Sequence, residues 1–157
     1  MLRKDHPASF ANSISHPLDE ALNQIYGKRL ELTFHERLAL KNYIWHRLYQ
    51  GIRRFYARQH NKYLKLVNHE CKQENDMNDG QLIRYLIRDI LETGEYTLEG
   101  IAAYVRVPLD VIVDIVSGVK TDPSFELSRG VIELHISVKR SYYHVLIRKL
   151  LHCLGIK

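Results

Sequence analysis

Cysteine is almost missing from this chain: Cys71 and Cys153 are the only two among 157 residues, and they stand far apart. Their separation fits neither a metal-ligand nor a redox spacing, which argues against a disulfide scaffold and for two reduced thiols. No apolar run approaches the roughly 18 residues that a membrane-crossing helix needs. The opening MLRKDHPASFANSISHP holds no apolar core of the signal-peptide kind, so a cytoplasmic protein is expected. Also missing are a Ser-centred nucleophile elbow, a glycine-rich phosphate loop and a carboxylate pair at a loop end. Internal repeats and low-complexity tracts are absent. Neither an enzyme nor a cofactor is expected.

Acid is scarce in one particular stretch. Between residues 33 and 68 there are eight basic residues and a single acid, Glu36, a local net charge of +7. The whole chain carries +5, so the remainder sums to −2. Arg53, Arg54, Arg58 and Lys62 lie close together with Tyr56 and Tyr63 interleaved. Such a segment can neutralise phosphates, each contact adding about one unit to the salt slope of binding. The plainer reading is a solvated face around an apolar stripe that packs on the second half of the chain or on a second subunit. The i,i+4 acids of a merely solvated helix are lacking, which favours the phosphate reading. Membrane-surface binding is disfavoured, because burial against protein explains the aromatic stripe better.

Residues 1–16 read as a loose polar tail. Leu18 to Tyr26 reads as a short helix with Pro17 at its first turn and Gly27 beyond its end. Thr33 and Glu36 have capping-box spacing, and a long helical pattern runs on to about residue 70. Leu38, Trp45, Leu48, Ile52 and Phe55 form its expected buried stripe, extended by Tyr63, Leu66 and Val67. The polar run from Lys72 to Gly80 is the candidate linker, with Asn78 and Gln81 a second capping box. Leu82, Ile83, Leu86, Ile87, Ile90 and Leu91 then make a strong helical stripe ended by Gly94. Residues 131–138 fit strand and helix about equally, and Tyr142 to Leu154 reads as a final helix. The nine histidines are scattered, and H-x8-H-x-C at His60, His69 and Cys71 matches no zinc spacing, so no metal is expected.

The richest segment is 97–123, TLEGIAAYVRVPLDVIVDIVSGVKTDP. Ile101, Ala102, Val105, Val107, Ile112 and Val116 are spaced to bury two crossed helices against each other, the pattern of a helix-turn-helix. Thr97 matches the capping hydroxyl, Ile101 and Ala102 the buried pair, Val107 the apolar residue closing the turn, and Ile112 the buried isoleucine. Gly118 matches the terminating glycine, Lys120 the basic residue two places on, and Pro123 with Ser124 the start of the next helix. The stretch resembles the lambda-repressor-like, Cro-type helix-turn-helix family of DNA-binding domains over about 50 residues, from the flanking helix at 80–92 to that at 124–135. It departs from the pattern at Arg106, where glycine is usual in the turn, and at Pro108, where Ser or Thr is usual.

The resemblance implies an all-α fold, with 131–138 helical, and double-stranded DNA as partner. The organisation is a tail (1–16), a basic helical arm (17–72) that is a candidate dimerisation element, and a helix-turn-helix domain with a C-terminal helix (78–157). Leu109, Asp110, Val111 and Asp114 are expected to face the major groove. Thr97, Arg106, Lys120, Arg53, Arg54 and Arg58 are expected to contact phosphates. The groove-facing helix has no Arg, Lys, Gln or Asn, so shape readout is expected to supplement direct contacts. A homodimer is expected, since one recognition helix buries too little surface for tight binding. Asp110 and Asp114, one turn apart, read as capping and solubility residues rather than cation ligands. The alternative is a protein–protein adaptor, antitoxin-like or regulator-binding, that keeps the scaffold and has lost the DNA surface. Single-stranded RNA binding by the Tyr/Arg-interleaved arm is a third reading.

Overall fold

The computed structural model describes residues 17–26, 31–66 and 77–156. The 1–16 tail, residues 27–30 with Gly27, and the 67–76 connection with Val67, His69 and Cys71 lie outside the described residues. Among those described, seven α-helices and no strand are present: α1 (Pro17–Tyr26), α2 (Phe34–Leu66), α3 (Asp79–Glu92), α4 (Leu98–Val105), α5 (Leu109–Ser117), α6 (Phe125–Val138) and α7 (Arg140–Cys153). The all-α expectation holds, and the ambiguous 131–138 segment is the second half of α6.

Local chemistry sets the helix starts. Thr33 and Glu36 exchange hydrogen bonds at the entry to α2, the Thr33 N–H donating to the Glu36 carboxylate at 2.8 Å. Asn78 and Gln81 form a complete capping box at α3, Gln81 N–H to Asn78 Oδ1 being 2.8 Å. Thr97 and Ser124 accept from Gly100 and Leu127 backbone N–H groups at α4 and α6. Each cap contributes about 1 kcal/mol by satisfying a donor that the helix leaves orphaned.

α3 is the hub, packing on α2, α5 and α6, while α1 packs on α6 and α7 and α2 on α7. Its Leu82, Ile83, Leu86, Ile87 and Ile90 are fully buried, each worth roughly 1.5–3 kcal/mol. Gly80 lets its first turn touch the chain after α5: its N–H donates to Thr121 O at 3.0 Å, and a Cβ would sit 2.4 Å from that oxygen. The basic segment shares this core: Leu18, Ile44, Leu48, Ile52 and Tyr56 belong to the same apolar cluster as Ile112 and Leu151.

The buried face of α2 differs from the expected stripe. Ile44, Leu48, Ile52 and Tyr56, four residues apart each time, are buried, whereas Leu38 and Phe55 are exposed. The side chains of 63–66 lie outside the described residues. The expected linker also ends earlier than Gly80, because Met77 is buried. No helix among the described residues is long and apolar enough to cross a membrane.

Candidate functional site

α4 and α5 pack on each other through a connection of three residues, Arg106 to Pro108. Arg106 takes the left-handed conformation (φ 59°, ψ 44°), the only non-glycine residue with positive φ among the described residues. Its N–H donates to Ala103 O, and the next, Val107 N–H, donates to Ala102 O at 3.1 Å. That pair of bonds is a Schellman closure, ordinarily built on glycine. The Arg106 side chain is exposed, and the backbone strain of an L-residue in this conformation remains.

Ile112 and Ile115 anchor α5 in the core and turn its other side outward. Leu109 (39% exposed), Val113 (43% exposed), Asp110 and Asp114 form that outer face. Val111 leans inward and is only half-exposed, packed against the core. Gly118 closes the helix at φ 84°, and a Cβ there would come within 2.8 Å of an Arg84 terminal nitrogen. Thr97 is exposed at the start of α4, and the Glu99 backbone N–H, helped by the Thr97 hydroxyl, holds the Glu99 carboxyl below its usual range. The α4 N-terminus therefore already carries an anion of its own. Lys120 is half-exposed on the connection after α5.

The three arginines singled out on α2 do not share one environment. Arg53 points inward to the start of α3: it pairs with Asp79 at 2.7 Å, donates to Met77 O at 2.7 Å and reaches the Tyr49 hydroxyl at 3.2 Å. It is a latch between helices. Arg54 and Arg58 are exposed, and so are Arg47 and Lys62, giving spacings of seven, four and four along one side of the helix. That stripe is about 22 Å long at 1.5 Å per residue, some six base pairs of duplex. No ion-pair partner for any of the four is present among the described residues. Lys41, by contrast, pairs with Asp19 at 2.6 Å and ties α1 to α2.

A buried polar cluster escaped the sequence reading. His135, 2% exposed on α6, lies 2.7 Å from Asp89 on α3 and 2.7 Å from the Tyr143 hydroxyl on α7. The Tyr56 hydroxyl of α2 donates to the same Asp89 oxygen at 2.8 Å. A neutral ring satisfies the geometry, Nε2–H donating to Asp89 and Nδ1 accepting from Tyr143. Burial pushes the His135 pKa down, outweighing the pull of Asp89. Partial burial would raise the Asp89 carboxyl, but bonds from His135 and Tyr56 and the Lys139 charge hold it lower than usual. With Tyr143 wholly buried beside it, His135 is out of reach of a substrate. The cluster pins four helices together, and its members come from four separate stretches of the sequence.

Among the described residues no group of three metal-ligating side chains converges. Comparison of the chain with protein-family models, with characterised proteins and with solved structures finds no match in any of the three.

Proposed function

We propose that this protein binds double-stranded DNA as a transcriptional regulator, with α4 and α5 as a Cro-type helix-turn-helix and α2 supplying phosphate contacts. The observation that carries the reading is the exposed stripe Arg47, Arg54, Arg58 and Lys62, on a helix whose single acid is Glu36. Four such contacts correspond to a log–log salt slope of about −3.6, roughly a 10²-fold loss of affinity between 50 and 200 mM salt. Arg106 and Lys120 add two further cations beside α5. The outer face of α5 offers Leu109 or Val113 to a thymine methyl and Asp110 to a cytosine amine. With no strong base-reading donor there, sequence preference rests largely on duplex shape. Two-fold pairing of the protein supplies the second half-site that a nine-residue reading helix needs.

A second reading is supported by the same helix. Its exposed Leu109, Val113, Asp110 and Asp114, continued by exposed Val119, make an apolar and acidic patch suited to a protein partner. The adaptor reading then assigns α5 to that partner and leaves the α2 stripe as a solvated face.

Fluorescence anisotropy with a random duplex at two salt concentrations, followed by selection of bound sequences from a random pool, tests the proposal. A steep salt dependence and enrichment of a two-fold symmetric site are expected. No retention at low salt would sink the DNA reading in favour of the adaptor. Preference for single strands would move the stripe to RNA or single-stranded DNA.

A further inference from the structure

The shoulder of α3 that faces away from the core carries Gln81, Arg84, Tyr85 and Arg88, spaced so that one side of the helix presents all four. α2 stands on one side of this shoulder and α5 on the other. Between them lies a recess of about 450 Å³, within the range of small-molecule sites. Its apolar floor is the half-buried Leu91 of α3 and Val116 of α5, lying over the fully buried Ile87. Two guanidinium groups stand at its edge, and no carboxylate is among the lining residues.

Arg84 is held in place by the fold, and Arg88, largely exposed, by neighbours on its own helix. Arg84 Nε donates to Ile115 O at 3.1 Å, at the C-terminal end of α5. Its terminal nitrogens lie over Gly118, where a Cβ would come within 2.8 Å of one and push it aside, and they donate to no described residue. The Arg88 guanidinium rests 5.0 Å from the Tyr85 ring centroid and makes a looser 3.7 Å pair with Glu92. The Tyr85 hydroxyl meets His60 Nδ1 at 2.7 Å, which fastens the α2 wall.

We propose that this recess binds an amphipathic oxyanion: a small molecule with a carboxylate or phosphate head and an apolar body of about one ring or a short alkyl chain. The head is received by Arg84 and Arg88, which can present paired N–H donors to oxygen in the forked geometry that guanidinium provides. The body covers Leu91 and Val116. An inorganic ion leaves that floor bare, and an amine is repelled by the same two cations. A duplex backbone has no apolar part to place there. Because Arg84 also grips the last turn of α5, occupancy stiffens Ser117 to Lys120.

Isothermal titration of the full chain with octyl phosphate, octylamine and inorganic phosphate, each below any micelle concentration, tests the assignment. One octyl phosphate per chain is expected, bound at least tenfold more tightly than either of the others. Arg88→Gln, an exposed position, and Arg84→Gln are each expected to weaken binding about tenfold or more, and Val116→Phe to block it by filling the floor. Arg88→Gln keeps the test sound if loss of the Ile115 contact unfolds Arg84→Gln, and Arg54→Ala/Arg58→Ala is expected to bind as the parent does. No binding, equal binding of the amine, or full binding by both Arg88→Gln and Val116→Phe would overturn the proposal. The titration contains no DNA, so its outcome is independent of the duplex-binding reading.

Discussion

α2 and α5 both rest on α3 and both present one face to solvent, yet the two faces carry opposite chemistry. The outer side of α2 shows Arg47, Arg54, Arg58 and Lys62. The outer side of α5 shows Leu109 and Val113 beside Asp110 and Asp114. Length separates them too: 33 residues against nine, or about 50 Å against 14 Å. A long cationic rod gives affinity without discrimination, because phosphates are the same at every step. A short apolar-acidic rod gives little affinity and depends on what it meets. The proposed regulator therefore divides its labour, with attraction on one helix and selectivity on the other.

The sharpest way to break this division is to strip the cations. Arg47, Arg54, Arg58 and Lys62 all replaced by Ala should cut duplex affinity by about 10²-fold or more at low salt and flatten the salt slope by 3 to 4 units. Thermal unfolding should shift little, because all four side chains are exposed. An unchanged slope in anisotropy titrations would remove α2 from the interface.

Acid should disable both faces together, since the Asp89–His135 cluster holds α2, α3, α6 and α7 in one arrangement. The His135 pKa is lowered in the fold, so the unfolded chain binds the proton more readily. Stability from this group is complete above the unfolded pKa near 6.5 and is lost as pH falls from there toward the lower folded value. Asp89, held below its usual range, adds a second loss once pH drops under about 4. Melting temperature followed from pH 8 to 5 should be level at first and then fall, and His135→Gln should flatten the fall.

Arg53 sharpens the comparison from inside α2. Arg53→Ala removes the Asp79 pair and the Met77 carbonyl bond and should cost about 1–2 kcal/mol of stability, discounted because the pair is partly open to water. Denaturant melts read that loss. The salt slope of duplex binding should not change.

How much of this was legible beforehand depends on the distance over which each feature is decided. Helix starts were readable because Thr33 with Glu36, Asn78 with Gln81, Thr97 and Ser124 act within three residues of themselves. Gly94 and Gly118 marked helix ends for the same reason. The inner face of α2 was misread by a fraction of a turn. Phe55 and Tyr56 are equally apolar in a pattern, and the choice falls on Tyr56 because Asp89, 33 positions later, needs its hydroxyl. Arg53 looked like its neighbour Arg54 until Asp79 and Met77 were folded against it. Arg84 and Arg88 carried no signal in the sequence, because the recess they overlook exists only once α2 and α5 stand beside them.

The acidic face offers a gentler test. Asp110→Asn with Asp114→Asn should raise duplex affinity about 5- to 30-fold if α5 lies near phosphates, since removing each like charge is worth about 0.5–1 kcal/mol at a screened surface. Neither aspartate makes an ion pair among the described residues, so stability should change little. Equal affinity of the variant and the parent would place α5 away from the duplex and give weight to the adaptor reading.

Arg106 is the smallest perturbation and separates the two readings with least damage. Its left-handed backbone costs an L-residue about 1–2 kcal/mol, part of which glycine forfeits through a more flexible unfolded chain. Arg106→Gly should therefore stabilise the fold by a net 0.5–1 kcal/mol or so, seen as a later denaturant midpoint with unchanged slope. The same change deletes one cation beside α5. A more stable protein that holds duplex about threefold less tightly would put the α4–α5 turn against phosphate, because destabilisation could not explain the loss. A more stable protein with unchanged affinity would leave the duplex to α2 alone.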